Sequence, residues 1–338
     1  MAQSVSREVS LSKKPLRVVI TTGDADGIGT EIAAKALKKL GPRPGVHLIL
    51  WRSATCPRKH LSLIDSRFKR ITVSSWPEAL EKKATHQEIV DINSKLSPAH
   101  WVELSAQASY YGHIDAIATA PLSKVTIQKA KMADIGHTDI LKRVTGANEL
   151  FMSFLGAKFN VLLATGHQPI KDISGSLTQT RLEKSLLAAQ SLARLLPPSR
   201  QTKPIGLVGL NPHAGESGLI GDEELFVFKK AFDFTAKHDI PVVGPLVPDA
   251  AFFEENWKKY SVYVTPYHDQ GLIPFKMIHG RQSGVHITMG LPFVRTSVDH
   301  GTAKNIFGLN RADAGSMYEA LVWAIRLAKN HALQDNGF

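Results

Sequence analysis

Three histidines sit where an imidazole can do chemistry. His167 lies in "ATGHQPI", His213 in "GLNPHAGESG" and His268 in "TPYHDQGLIPFK". Each occupies a Gly- or Pro-rich turn directly after an apolar, strand-like run. Their separations, 46 and 55 residues, match no local zinc motif, so any site they share must be assembled by the fold. Neutral imidazoles suit a catalytic divalent metal with open coordination positions, zinc foremost and magnesium or cobalt as alternatives. Asp269, beside His268, and Asp249, in "GPLVPDAAFF", could orient such ligands, complete their shell or accept a proton. Turn chemistry accounts for both aspartates as well. A second group suits an anion. "IGHTDIL" puts His137 and Thr138 at a helix start, where backbone N–H groups are free. Lys276 in "GLIPFK" supplies a point charge and Arg295 in "GLPFVRTSVDHGTA" a planar fork of donors, both common phosphate partners. Lys276 also counts among the candidate catalytic groups with the two aspartates. Taken alone, each base reads as a solvated surface residue.

Positioning these groups requires elements that the hydrophobic pattern supplies. Candidate strands are "LRVVITT" (16–22), "HLILW" (47–51), "IDAIATA" (114–120), "NVLLAT" (160–165), "IGLVGL" (205–210) and "VYVTPYH" (262–268). Helical stretches such as "EIAAKALKKL", "LEKSLLAAQSLARLL", "EELFVFKKAFDFTAKH" and "MYEALVWAIRLAKN" fall between or after them. The strand runs are too apolar for one exposed face, which argues for α/β lobes with sheets covered on both sides. The polar stretches "TGDADG", "TAPLSK", "TGHQP", "NPHAGE" and "YHDQG" each follow a strand. Ligands of open α/β sheets bind beyond the carboxyl ends of strands, so these stretches are expected at one edge, forming one site.

A chain of 338 residues favours two lobes over a single core. With 43% hydrophobic and 21% charged residues the composition is that of a globular protein, and no apolar run approaches a membrane span. "MAQSVSREVSLSKKPL" has no apolar signal core and is expected to be a short mobile lead. Cys56 is the sole cysteine, so intrachain disulfides and thiolate zinc clusters are excluded. A cytoplasmic location is expected. The net charge of +11 is scattered, with no recognition helix and no aromatic-basic interleaving, so neither nucleic acid nor membrane is an expected partner. The glycine-rich turn in "VVITTGDADGIGTEIAAKAL" imitates a nucleotide loop. Ile32 stands where the dinucleotide fingerprint needs Gly or Ala, and no lysine completes a Walker loop. What remains is a tight turn into a helix, with Gly27 and Gly29 letting the backbone approach the site, and with Glu31 suited to the helix dipole.

Together "GDADGIGTE", "GHTDIL", "GLNPHAGESGLIGDEE", "YHDQGLIPFK" and "GLPFVRTSVDHGTA" resemble, in that order, the 4-hydroxythreonine-4-phosphate dehydrogenase family of vitamin B6 biosynthesis, over roughly residues 16 to 330. The resemblance implies an isocitrate/isopropylmalate-dehydrogenase-like fold, not a Rossmann fold. It implies two α/β lobes around a cleft, 15–125 with 297–338 and 126–296, after a lead of 1–14. The second lobe would carry most metal and dimer contacts, in a homodimer whose interface completes each site. It further implies His167, His213 and His268 as metal ligands, substrate contacts at His137, Thr138, Lys276 and Arg295, and NAD or NADP near His300, Gly301 and Thr302. The implied reaction oxidises 4-hydroxythreonine 4-phosphate to 2-amino-3-oxo-4-phosphooxybutanoate, which decarboxylates to 3-amino-2-oxopropyl phosphate. Relatives that oxidise erythronate or threonate 4-phosphate are the alternative. A phosphate acyltransferase could share the fold but needs no metal, so the three histidines speak against it. The chain departs from the family pattern at Ala25, Asp26 and Thr30, and His286 replaces an asparagine expected to contact substrate.

Overall fold

The structure, a computed structural model, describes residues 14–280 and 284–335. Of the expected mobile lead, residues 1–13 lie outside the described residues. Twelve strands form one mixed sheet among the described residues: β1 Leu16–Thr21, β2 Val46–Ser53, β3 Lys69–Val73, β4 Glu88–Ser94, β5 Ala116–Thr119, β6 Phe151–Leu155, β7 Asn160–Leu163, β8 Ile205–Val208, β9 Val242–Leu246, β10 Tyr263–Thr265, β11 Val285–Met289 and β12 Val294–Ser297. Their order is β3-β4-β2-β1-β5-β12-β11-β6-β7-β10-β8-β9. All six expected strands are present within a few residues of the expected bounds. β3, β4, β6, β9, β11 and β12 are additional.

Strand direction is what places the site. β3, β4, β2, β1, β5 and β12 pair in parallel, as do β7, β10, β8 and β9. Between the two blocks, β11 is antiparallel to β12 and to β6, and β6 is antiparallel to β7. Three reversals make the blocks run in opposite senses. The turns after β1 and β5 therefore leave one edge of the sheet, and those after β7, β8 and β10 leave the other. A single shared edge for all the polar stretches is overturned by this topology.

Both faces are covered, as runs such as "VVIT" require: Val18, Val19 and Ile20 are fully buried. The helix Gly29–Leu40 packs Ile32, Ala33 and Leu37 onto β1 and belongs to a core that extends through both blocks to the last helix, Gly315–Asp335. Glu31 is structural. Its carboxylate pairs with Lys35 and accepts the Ala312 N–H at 2.8 Å. The opening turn is held by close backbone approach. A Cβ on Gly29 would lie 1.9 Å from the Thr22 carbonyl oxygen. Ile28 N–H donates to the Thr302 carbonyl at 3.0 Å, so this turn packs on the "DHGTA" segment. Lys304 closes that contact, bridging Asp24 and Asp26 at 3.2 and 2.8 Å.

Candidate active site

The middle strands carry a buried cation. Arg295 on β12 is 2% exposed. Its Nη2 donates to Thr119 Oγ1 of β5 at 2.7 Å and its Nη1 to Thr288 Oγ1 of β11 at 2.9 Å, while His286 Nδ1 lies 3.4 Å from Nη1. These residues share one face because side chains alternate along strands, so 286 and 288 project together. The described partners of the guanidinium are thus two hydroxyls and an imidazole, with no carboxylate among them, and its Nε is buried without a partner. Burial pulls its pKa down, the mark of a cation short of a counter-ion.

His286 stacks on Phe154, ring centroids 5.1 Å apart, and its Nε2 is buried and unpartnered. Burial holds this imidazole well below its ordinary pKa, and Arg295, His137 and His167 add to the effect. His137 opens the helix His137–Thr145, which the Asp139 carboxylate fixes by accepting the N–H groups of Ile135 and Gly136. Its Nε2 is likewise buried and unpartnered. Burial, then Arg295, pushes His137 down to about 3. Thr138 follows on the same helix turn. His137, His300, Gly301 and Thr302 line one cavity of about 350 Å³ with Ser297 and the 121–124 segment. Of the sequence-expected anion residues, His137 thus shares a wall with the expected cofactor residues, and His300 Nε2 is a further buried nitrogen without a partner.

A second cavity, about 390 Å³, is lined by His167, Tyr267, His268 and Asp269. The His167 and His268 rings stand 4.8 Å apart, and His268 Nδ1 bonds Asp269 Oδ1 at 2.6 Å, an arrangement that fixes the ring as metal ligands require. Burial, then His268, lowers the His167 pKa, which favours the neutral ligand form. Two of the three expected ligands thus line one cavity. His213 is not with them. It is exposed on the turn after β8, and among the described residues no group of three His, Cys, Asp or Glu side chains could hold a metal ion. Asp249, in the turn after β9, and Lys276, on the outer face of the helix His268–His279, are exposed and line neither cavity. A larger cavity of about 550 Å³ over Phe151, Lys184 and Met289 holds none of the candidate residues.

Sequence reasoning missed Thr119 and Thr288, the two hydroxyls that hold Arg295. The first lies in "TAPLSK", and the second alternates with His286 in "VHITM".

The buried imidazoles carry a pH signature. In the unfolded chain His137 titrates near 6.5; folded, it stays neutral until about pH 3. Between those values the unfolded state binds the extra proton, so stability falls as pH falls, by about 1.4 kcal/mol per unit for this group. From pH 6.5 to 5 the wild type is expected to lose about 2 kcal/mol more than His137→Asn, measured by urea unfolding. Equal losses would mean that burial does not hold the imidazole neutral.

The family model described as "Pyridoxal phosphate biosynthetic protein PdxA" matches residues 52–324. A 4-hydroxythreonine-4-phosphate dehydrogenase of Geobacter metallireducens is 33% identical over 328 residues, 93% of this chain and 96% of its own. A D-threonate 4-phosphate dehydrogenase of Salmonella typhimurium is 32% identical over 331 residues, 92% and 98% of the two chains. The crystal structure of 4-hydroxythreonine-4-phosphate dehydrogenase from Klebsiella pneumoniae superposes with a TM-score of 0.79 at 31% identity, covering 94% of this chain and 99% of that one. The fold is the isocitrate/isopropylmalate-dehydrogenase-like one, mixed α/β on one large sheet, and not a Rossmann fold.

Proposed function

We propose that this chain, which belongs to the family of the pyridoxal phosphate biosynthetic protein PdxA, oxidises a phosphorylated four-carbon hydroxy acid with NAD or NADP. 4-Hydroxythreonine 4-phosphate is the first substrate. It would give 2-amino-3-oxo-4-phosphooxybutanoate, whose β-keto carboxylate leaves as carbon dioxide to yield 3-amino-2-oxopropyl phosphate. One observation carries the reading: a buried guanidinium with no carboxylate partner among the described residues, beside the unpartnered nitrogens of His137 and His286. Such a cluster is short of an anion, and a phosphate supplies one.

In this reading Arg295, His137 and Thr138 hold the phosphate as a remote handle that fixes the reacting carbon. The cavity at His300, Gly301 and Thr302 takes part of the dinucleotide. The dinucleotide would accept a hydride from the secondary alcohol, whose hydroxyl proton would pass to a base. Asp269 suits that role because it lines the cavity of His167 and His268, whereas Asp249 and Lys276 would have to reach it from a second copy. His167, His268 and a third histidine, His213, would hold a divalent metal, zinc foremost, which would supply Lewis acidity at the substrate oxygen. A homodimer completes the set, bringing the third histidine across the interface. Exposed apolar side chains support such an interface: Leu219, Phe226, Phe253, Ile273 and Met277 are each more than half exposed.

A second reading takes D-threonate or erythronate 4-phosphate as substrate, and His286 favours it. Its Nδ1 faces a guanidinium that can only donate, so Nε2 bears a proton and offers nothing but a donor. A substrate hydroxyl can accept that bond; the ammonium of an amino acid cannot. The deciding experiment follows NAD and NADP reduction with all three phosphates, before and after chelation and zinc return. Turnover of at least one, lost on chelation, is expected. Absence of reduction with every pairing would overturn the dehydrogenase reading.

A further inference from the structure

His213 stands on an unusual backbone. Residues 213 to 217 all have positive φ, at 50°, 53°, 80°, 42° and 58°, and only Gly215 is a glycine. L-residues visit this region singly, so a left-handed run of five must be held by its surroundings. Glu224 holds it. This carboxylate is 8% exposed and heads a short π-helical segment, Glu224–Phe228. Its Oε1 accepts the N–H groups of Leu210 and Asn211 at 2.7 and 2.9 Å, and its Oε2 accepts Asn211 Nδ2 at 2.8 Å. The turn closes directly over the carboxylate: a Cβ on Gly215 would lie 2.9 Å from Glu224 Oε2.

The same brace reaches the other histidines. Glu223 Oε2 accepts Asn211 Nδ2 at 2.6 Å, and its Oε1 accepts Ser174 Oγ at 2.5 Å. Ser174 follows Ile173, which lines the His167 cavity. Gln270, two residues after His268, donates to the Gly209 carbonyl at 2.7 Å, just ahead of the His213 turn. The three histidine loops are thus joined by hydrogen bonds that pass through the Glu223–Glu224 pair and Gln270.

We propose that Glu224, assisted by Glu223, is a positioning residue for His213: it fixes the left-handed turn that presents this histidine at the surface. The inference rests on His213 being a metal ligand, as the proposed function has it. Neither glutamate binds the metal; Glu224 acts through the backbone and side chain of Asn211, and Glu223 through its side chain.

The test titrates metal-free wild type and variants with cobalt(II), reading affinity and the visible absorption of the bound ion. Glu224→Ala is expected to weaken cobalt binding about 10- to 100-fold, the usual cost of losing an outer-shell partner, and to change the band shape. Glu224→Gln keeps an acceptor for the two N–H groups and is expected to recover most of the affinity. Ile64→Val, a core truncation far from the site, controls for stability and should leave the spectrum unchanged. Should Glu224→Ala not fold, the half-buried Glu223→Ala carries the test and is expected to show a smaller loss of the same kind. Wild-type affinity and spectrum in the folded glutamate variants, with cobalt lost in His213→Ala, would overturn the positioning role alone. No cobalt uptake by the wild type, or unchanged uptake by His213→Ala, would sink the metal assignment and the proposal with it.

Discussion

His213→Ala and His268→Ala, each inactive alone, are expected to regain about a quarter of wild-type turnover when their subunits are exchanged. In the proposed site each single substitution removes one ligand of a metal whose Lewis acidity would be worth several kcal/mol, so each homodimer should fall by about 1,000-fold or more. The recovery follows from the geometry. One chain brings His167 and His268 to a common cavity and leaves His213 outside it. If a two-fold dimer completes the set, each site draws histidines from both copies. A mixed dimer then places both lesions in one site and leaves the other whole. Random exchange gives mixed dimers in half of the population, each with one intact site of two, hence the quarter. Metal content should recover in step with turnover. A mixture that stays inactive would mean that all three ligands come from one chain. Full activity in either homodimer would remove that histidine from the site.

The parts of the fold legible in the sequence were those whose buried residues are apolar. β1, β5 and β7 read as unbroken apolar runs because helices cover them on both faces. β11 and β12 were missed for the opposite reason. "VHITM" and "VRTS" alternate, and their polar side chains include Arg295 and its partners, which interrupt the apolar pattern that would announce a strand. The histidines were legible from their setting after apolar runs. Their grouping was not, because it depends on strand direction: the antiparallel β11 and β6 reverse one block against the other, and no local pattern records that reversal. Lys276 illustrates the same limit. It lies eight residues beyond His268 in the helix His268–His279, yet faces outward beside Ile273 and Met277.

Arg295→Met should collapse activity and leave the free protein as stable as wild type, or more so. In the free protein the guanidinium is taken out of water with no carboxylate among the described residues to offset the cost; two threonine hydroxyls and an imidazole only partly replace its hydration. An apolar side chain of similar length removes that cost, and the loss of donors to Thr119 and Thr288 works against the gain. The melting temperature is therefore expected to hold or rise. With substrate the balance inverts. Truncating one partner of a buried, hydrogen-bonded charge pair costs about 2–5 kcal/mol, so kcat/KM for the phosphorylated substrate should fall by about 30-fold to several thousand-fold. Most of this should appear in KM if the phosphate is a uniformly bound handle, and in kcat if its binding orients the reacting carbon. Inorganic phosphate should raise the melting temperature of the wild type and not of the variant. A dephosphorylated analogue should be turned over poorly and nearly equally by both. An equal fractional loss with that analogue would move Arg295 from the phosphate to the carboxylate end of the substrate. A clear drop in the variant's melting temperature would mean that the guanidinium is a structural cation, already satisfied in the free protein.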